Sequence, residues 1–231
     1  MDRARLRFLA AVATLALTPV ALAQVAPATL GRAQTVVVPA APTVAFEVDA
    51  PGEYRIDAQG GDMDAQLLLV QGGSIFTSDS DSGEGVDARI VAFLAPGSYA
   101  ARVTEYQGRA MSARVTVARL PPLTPVATVT PGAPPTLVAV PRGDDARSGA
   151  AEVTLEISAA GSYRIDVVSP DASADPELTL IARSAVVASD SDSGEGTNAQ
   201  LVRDLAPGTY TLRVRDWQNR AASLRVTVAR N

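Results

Sequence analysis

The sequence predicts an all-β chain: two tandem, jelly-roll-like antiparallel β-sandwich domains joined by a Pro-rich linker and preceded by a signal peptide. Three observations predict it. The octapeptide SDSDSGEG stands twice, letter for letter, at Ser78–Gly85 and Ser189–Gly196, within a longer self-similarity. Apolar residues recur with period two through short segments separated by turn signals such as APG and QGG, the pattern of strands with one wet face. No segment after the first few turns of sequence sustains an apolar period of 3.6.

The elements follow in chain order. Residues 1–23 read as a signal peptide, with a basic start containing Arg3, Arg5 and Arg7, an apolar run from Phe8 to Leu17, and a small-x-small site at Ala21–Ala23. The apolar run is too short to span a bilayer and Pro19 interrupts its end. The mature chain is expected to start near Gln24, to be periplasmic or secreted, and to carry no membrane span after cleavage. A lead-in, 24–33, precedes β-sandwich module 1, 34–119. The uncharged, Pro-rich stretch 120–135 reads as a semi-rigid extended linker, and module 2 occupies 136–231. Paired landmarks fix the duplication: Gly52–Asp57 with Gly161–Asp166, Leu94–Tyr99 with Leu205–Tyr210, and closing strands ending at Arg119 and Arg230. The first pair is offset by 161 − 52 = 109 and the second by 205 − 94 = 111, which predicts a two-residue insertion near Ser169–Ala174. Within the modules Val44, Phe46 and Val48 alternate with polar or small residues, as do Val153, Leu155 and Ile157. Tyr54 and Ile56, Leu67 and Leu69, Tyr99 to Val103, and Val115 and Val117 repeat that alternation, each with a counterpart in the second copy. Arg102, Arg114, Arg213 and Arg225 fall on the opposite, wet phase, as cross-strand partners for acidic residues worth little individually.

Composition removes most chemistries. The chain holds no His and no Cys, and all 20 of its basic residues are Arg. Nucleophiles activated by His, thiolate or imidazole zinc sites, and Lys Schiff bases are therefore excluded. Carboxylates and Tyr remain as acid–base groups, and glycoside hydrolysis needs two carboxylates facing across a cleft, whereas the acidic residues here crowd into turns. The expectation is that the protein is not an enzyme. The whole chain carries −5; residues 1–23 contribute three Arg and one Asp, so the mature chain carries −5 − 2 = −7. Such a balance disfavours nucleic acid and anionic membranes.

The order of motifs resembles the bacterial pre-peptidase C-terminal (PPC) domain, in two tandem copies. The resemblance rests on a Gly-x-Tyr strand, an acidic element before a Leu-rich strand (Asp62-Met-Asp64 and Asp175-Pro-Glu177), an acidic Ser/Asp/Gly loop, and a Pro-Gly-x-Tyr strand start at Pro96–Tyr99 and Pro207–Tyr210. It covers both modules and implies jelly-roll-like, non-catalytic domains that aid secretion or substrate attachment. The peptidase that such domains usually trail is absent from this sequence.

Two paired features are candidate sites. In SDSDSGEG, alternating Asp79 and Asp81, with Glu84 beyond a glycine, place oxygen ligands of the kind calcium favours. Asp64 and Asp87 are the candidates to complete such a site, and the second copy offers Asp175, Asp190, Asp192, Glu195 and Asn198. The sequence departs from an EF-type loop in having Ile90 at the twelfth place. The competing reading is a tight acidic turn with no ligand. The second feature is the pair EYQGR and DWQNR. It offers Tyr106, Gln107 and Arg109, then Trp217, Gln218 and Arg220, as exposed aromatic and hydrogen-bonding groups at what read as hairpin tips. The expected function is an exported, non-catalytic binding, scaffolding or secretion-accessory module of the cell envelope, with an unknown protein or polysaccharide of the envelope or extracellular space as partner. The alternative is a calcium-stabilised adhesion or carbohydrate-binding module.

Overall fold

The computed structural model describes residues 29–231 except 41, 145, 146 and 172; residues 1–23, expected to be a signal peptide, and residues 24–28 lie outside the described residues. Every described regular element is a strand. In the first module these are β1 (Gln34–Val38), β2 (Thr43–Val48), β3 (Gly52–Gln59), β4 (Ala65–Gln71), β5 (Ser74–Asp79), β6 (Ala88–Leu94), β7 (Gly97–Glu105) and β8 (Met111–Arg119). They form two sheets, β1-β8-β3-β6 and β2-β7-β4-β5, the interleaved order of an eight-stranded jelly roll.

The second module repeats that order. Its strands are β9 (Ala127–Val129), β10 (Thr136–Val140), β11 (Ala150–Ile157), β12 (Gly161–Val168), β13 (Pro176–Ala182), β14 (Ala185–Asp190), β15 (Ala199–Leu205), β16 (Gly208–Asp216) and β17 (Ala222–Arg230). The sheets are β10-β17-β12-β15 and β14-β13-β16-β11-β9. The addition is β9, which pairs parallel with β11 through Ala127, Thr128 and Val129. Part of the Pro-rich stretch is thus an edge strand of module 2. The turn after it, with Ala133 N–H on the Thr130 carbonyl and Gly132 N–H on that of Val228, repeats a turn at Thr29–Arg32 that ties Gly31 N–H to Val117. Most of that stretch therefore belongs to the repeat, and Leu120–Pro125 is what runs between the modules.

Alternation explains the burial. Phe46, Tyr54, Ile56, Leu67 and Leu69 fill the first core, and Leu155, Ile165, Leu178, Leu180 and Leu212 the second. The two cores are filled differently at matched places. Module 1 sets Phe46 opposite Tyr99 and Val44 opposite small Ala101, whereas module 2 sets the smaller Leu155 opposite Tyr210 and Val153 opposite the larger Leu212, so volume lost on one strand is regained on its neighbour. Tyr54, Tyr99, Tyr163 and Tyr210 each donate their hydroxyl to the carbonyl four residues upstream, at 2.8, 3.1, 2.6 and 3.0 Å. The rings fill core space while the hydroxyls tie down the turn that opens each strand.

Two loops distinguish the copies. The β3–β4 and β12–β13 connections differ by the two residues expected near Ser169–Ala174, and a larger difference went unread. Residue 136 matches 34, an offset of 102, while Ile157 and Val48 share an offset of 109 through their pairing with Gly208 and Gly97. Seven more residues therefore separate β10 from β11, and they carry Arg147. The segments EYQGR and DWQNR are not hairpin tips, since β7 pairs with β2 and β4 while β8 pairs with β1 and β3. Each is an arch that crosses from one sheet to the other.

Candidate functional site

The acidic loop joins the edge strand of one sheet to the edge strand of the other, β5 to β6, and its residues explain that crossing. Asp79 accepts hydrogen bonds from Ser82 N–H at 3.0 Å, from the Ser82 hydroxyl, and from Arg89 N–H on β6 at 2.9 Å. Asp190 does the same for Ser193 and for Gln200 N–H at 2.8 Å. Burial, the largest single influence on Asp190, pushes its carboxyl up, but the bonds from Ser193 and Gln200 together hold it below the usual range. Both glycines are dictated by the backbone. A Cβ on Gly83 would meet the Asp87 carbonyl oxygen at 2.5 Å, and Gly85 sits at φ 66°, a conformation glycine takes freely.

The other proposed ligands do not gather round Asp79. The Asp87 carboxylate accepts from Gly60 N–H at 2.8 Å, and Asn198 from Ser169 N–H at 3.0 Å. Asp81 and Asp192 take only the neighbouring Ser hydroxyls, and Glu84 and Glu195 face solvent. Asp64 and Asp175 lie under the arches, their carbonyls accepting Tyr106 N–H and Trp217 N–H; one carboxylate oxygen of each is buried without a hydrogen bond. Among the described residues no group of three acidic side chains is arranged to hold a metal ion. The donors that face Asp79 are N–H and O–H groups, which a cation would have to displace, so the loop as built does not fit one.

The arches use up two of the side chains assigned to ligand. Glu105, its side chain fully buried, accepts from Gln107 N–H, Arg109 N–H and the Arg109 guanidinium. Asp216 repeats the arrangement with Gln218 N–H and Arg220, and also takes Asp175 N–H at 3.0 Å. The Arg220 guanidinium beside Asp216 holds that carboxyl far below the usual range. Arg109 and Arg220 are thus internal clamps. Tyr106 and Trp217 project from the arches at 66% and 56% exposure, and Arg215 lies over the Trp217 ring at 5.5 Å.

The residues that sequence reasoning missed sit between the modules. Glu53 on β3 and Phe93 on β6 are a cross-strand pair on the outer face of module 1. They meet Glu152 on β11 and Arg213 on β16, a cross-strand pair on the outer face of module 2. The Arg213 guanidinium grips Glu53 through two bonds, 2.5 and 3.0 Å, also bonds Glu152 at 2.7 Å, and lies 5.1 Å over the Phe93 ring. Arg147, from the longer β10–β11 loop, adds a 2.7 Å bond to Glu53 and reaches the Pro121 carbonyl. Glu53 is only 7% exposed although it lies on a strand's wet phase. Burial alone would lower the Arg213 pKa, but Glu53 and then Glu152 raise it above the usual value. The chain between the modules is fixed at the same place, Leu120 N–H on the Glu53 carbonyl and Val126 N–H on that of Glu152. The one legible signal was divergence: Glu53 and Phe93 correspond to Ser162 and Asp204 in a repeat otherwise well kept.

Against this interface lie cavities of about 700 and 520 Å³ that share Glu53, Phe93, Arg183 and Arg213. A third, of about 490 Å³, has Asp79, Asp81 and Arg89 on one side and Arg147, Trp217 and Asn219 on the other. Glu177, in the largest of these cavities, has its carboxyl raised by burial, against the pull of Arg215.

No family model matches the chain, and no curated protein does. Among solved structures, the pre-peptidase C-terminal domain of a collagenase from Bacillus anthracis is similar at 17% identity and TM-score 0.38, over 48% of this chain and 99% of that one. The tandem CBM22 domain from Paenibacillus barcinonensis Xyn10C is similar at 8% identity and TM-score 0.22, over 81% of this chain and 82% of that one. Neither likeness speaks to ligand or role. The class of protein that fold and interface define is a tandem of two antiparallel β-sandwiches docked through an ionic interface.

Proposed function

We propose that this chain is an exported, non-catalytic binding scaffold of two pre-peptidase-type modules, holding a partner of the envelope or extracellular space in the cleft between them. One observation carries the reading: the modules are clamped by a buried, multiply bonded ion cluster, so the cleft has fixed walls. Preorganised walls cut the ordering cost of binding, and clefts between domains are common ligand sites. The absence of His, Cys and Lys supports a non-catalytic role, and the basic-apolar-small order of residues 1–23 supports export. No described helix is long and apolar enough to cross a membrane. The test has two arms. Expression of the full chain should give a product starting near Gln24 and located outside the cytoplasm. The purified mature chain, immobilised and exposed to isolated envelope polysaccharide and to a peptide library, should retain a ligand without altering it. Glu53→Gln should weaken that retention by loosening the walls. Turnover of the retained ligand, or retention indifferent to the state of the cleft, would overturn the reading.

A further inference from the structure

We infer that the intermodule cleft docks an extended peptide segment that presents a carboxylate beside an apolar side chain, with Arg183 as its anion anchor. This rests on the reading of the chain as a binding scaffold. Observations from four parts of the fold converge on it.

The first is the turn between β13 and β14. Its central residues, Arg183 and Ser184, both have positive φ, 52° and 60°. Module 1 places Gly72 and Gly73 there, at 58° and 84°, as a two-residue turn of this hand prefers. An L side chain in that conformation is disfavoured, and such strain concentrates where a side chain is needed. The second copy therefore keeps an arginine where the backbone asks for glycine, and Arg183 lines both larger cavities.

Charge is the second. Five arginines border the cleft: Arg119, Arg147, Arg183, Arg213 and Arg215. Three glutamates answer them, Glu53 and Glu152 at Arg213 and Arg147, and Glu177 at Arg215. The surplus is 5 − 3 = +2: Arg119 spends its guanidinium on the Pro51 carbonyl, and Arg183 has no hydrogen bond or ion pair among the described residues. An unmatched guanidinium at a cleft in a chain of net −5 draws in a carboxylate, which it engages with two parallel N–H donors.

The third is the apolar part of the wall. Phe76, Val91, Phe93 and Val186 line the larger cavity, and a Phe, Leu, Ile or Val side chain of a peptide covers such a wall more fully than the narrow C–H face of a sugar ring. The fourth is the edge strand itself. β14 ends its sheet, and Ala185 and Val186 line the cavity. Among the described residues no other strand pairs with its outward N–H and C=O groups, so an extended backbone adds there by strand pairing.

The experiment pans a phage-displayed library of random dodecapeptides against the mature chain at low salt. Calorimetry then measures the selected peptide on wild type, Arg183→Gly and Arg183→Lys. Selection should enrich Asp or Glu next to Phe, Leu, Ile or Val. The selected peptide should bind Arg183→Gly at least about tenfold more weakly, with Arg183→Lys intermediate because it lacks the planar fork. Arg183→Gly should at the same time melt a few degrees higher, since glycine suits the turn; a merely structural arginine would not separate binding from stability in this way. Peptides without acidic enrichment, affinity indifferent to Arg183→Gly, or a lowered melting temperature in that variant would each overturn the inference. Polygalacturonate binding that Arg183→Gly abolishes would assign the cleft to an anionic glycan and overturn the peptide. A partner bound equally by Arg183→Gly would overturn this site yet leave the binding scaffold standing, and a chain that retains neither peptide nor polysaccharide would overturn both.

Discussion

Replacing Glu53 by Gln keeps the shape of the side chain and removes the charge that two arginines share. The wild-type carboxylate takes bonds of 2.5 and 3.0 Å from Arg213 and 2.7 Å from Arg147. Removing one partner of a buried ion pair costs about 3–5 kcal/mol when the other charge is stranded. Arg213 is not wholly stranded, because Glu152 keeps its bonds at 2.7 and 3.1 Å. The Arg147 side chain is 17% exposed and turns to water more readily. The expected loss is therefore about 2–3 kcal/mol. At about 1.4 kcal/mol per tenfold, that weakens docking of the modules by roughly 30- to 150-fold. Calorimetry reads this as a single wild-type transition that separates towards two in the variant, and small-angle scattering as an increased radius of gyration. A double-mutant cycle with Arg213→Met isolates the pairwise contribution. Additivity within about 0.5 kcal/mol, together with an unchanged scattering profile, would refute the claim that this cluster holds the modules.

Three further outcomes follow from the geometry. Asp216 is held far below the usual carboxylate range, by Arg220 first, so its stabilising effect is present above the unfolded-state pKa and is lost as pH falls through and below it. Melting temperature should drop from about pH 4 downwards, and the gap between wild type and Asp216→Asn should close over that interval; a gap that stays constant would refute the clamp. Asp79→Ala should cost about 1–2 kcal/mol by urea titration with calcium absent. Exchange between EDTA and calcium should leave the wild-type melting curve unmoved; a calcium-dependent rise that vanishes in Asp79→Ala/Asp81→Ala would restore a metal to the loop. Tyr163→Phe should cost about 1 kcal/mol through loss of the 2.6 Å bond to the Ala159 carbonyl, and a neutral result would show that water replaces it.

The strands that carry the cores were legible because a sandwich writes its inside and outside as alternation. Val44, Phe46 and Val48, like Leu178 and Leu180, announce their burial two residues apart. β5 and β14 were not legible, since edge strands whose residues mostly face solvent have no buried phase to display. The acidic octapeptide was noticed, but its identity in both copies follows from a crossing that needs a carboxylate at Asp79, a missing Cβ at Gly83 and a positive φ at Gly85. Those are facts of backbone geometry that composition does not distinguish from ligand chemistry. The arch residues Arg109 and Arg220 looked available because nothing in a linear sequence shows that Glu105 and Asp216 fold under them. The interface was hidden for a different reason. Alternation assigns Glu53, Phe93 and Arg213 to the wet side of their own sandwiches, and only the second sandwich dries that side. Arg213, read as a surface partner of small worth, is instead the centre of the contact.

The two outer faces that meet are unlike each other, and a pairing of unlike faces extends without limit if every unit bears both. Here the repetition is broken at its ends. The far side of module 2 offers Ser162 and Asp204 where Glu53 and Phe93 would stand. The exposed counterpart on module 1 keeps Arg102 but faces it with Thr43 and has only a short β1–β2 connection. A further unit docking in the same way would meet neither the Glu53–Phe93 pair on module 2 nor counterparts of Glu152 and Arg147 beside the arginine on module 1, so this ionic contact is specific to the one junction it holds.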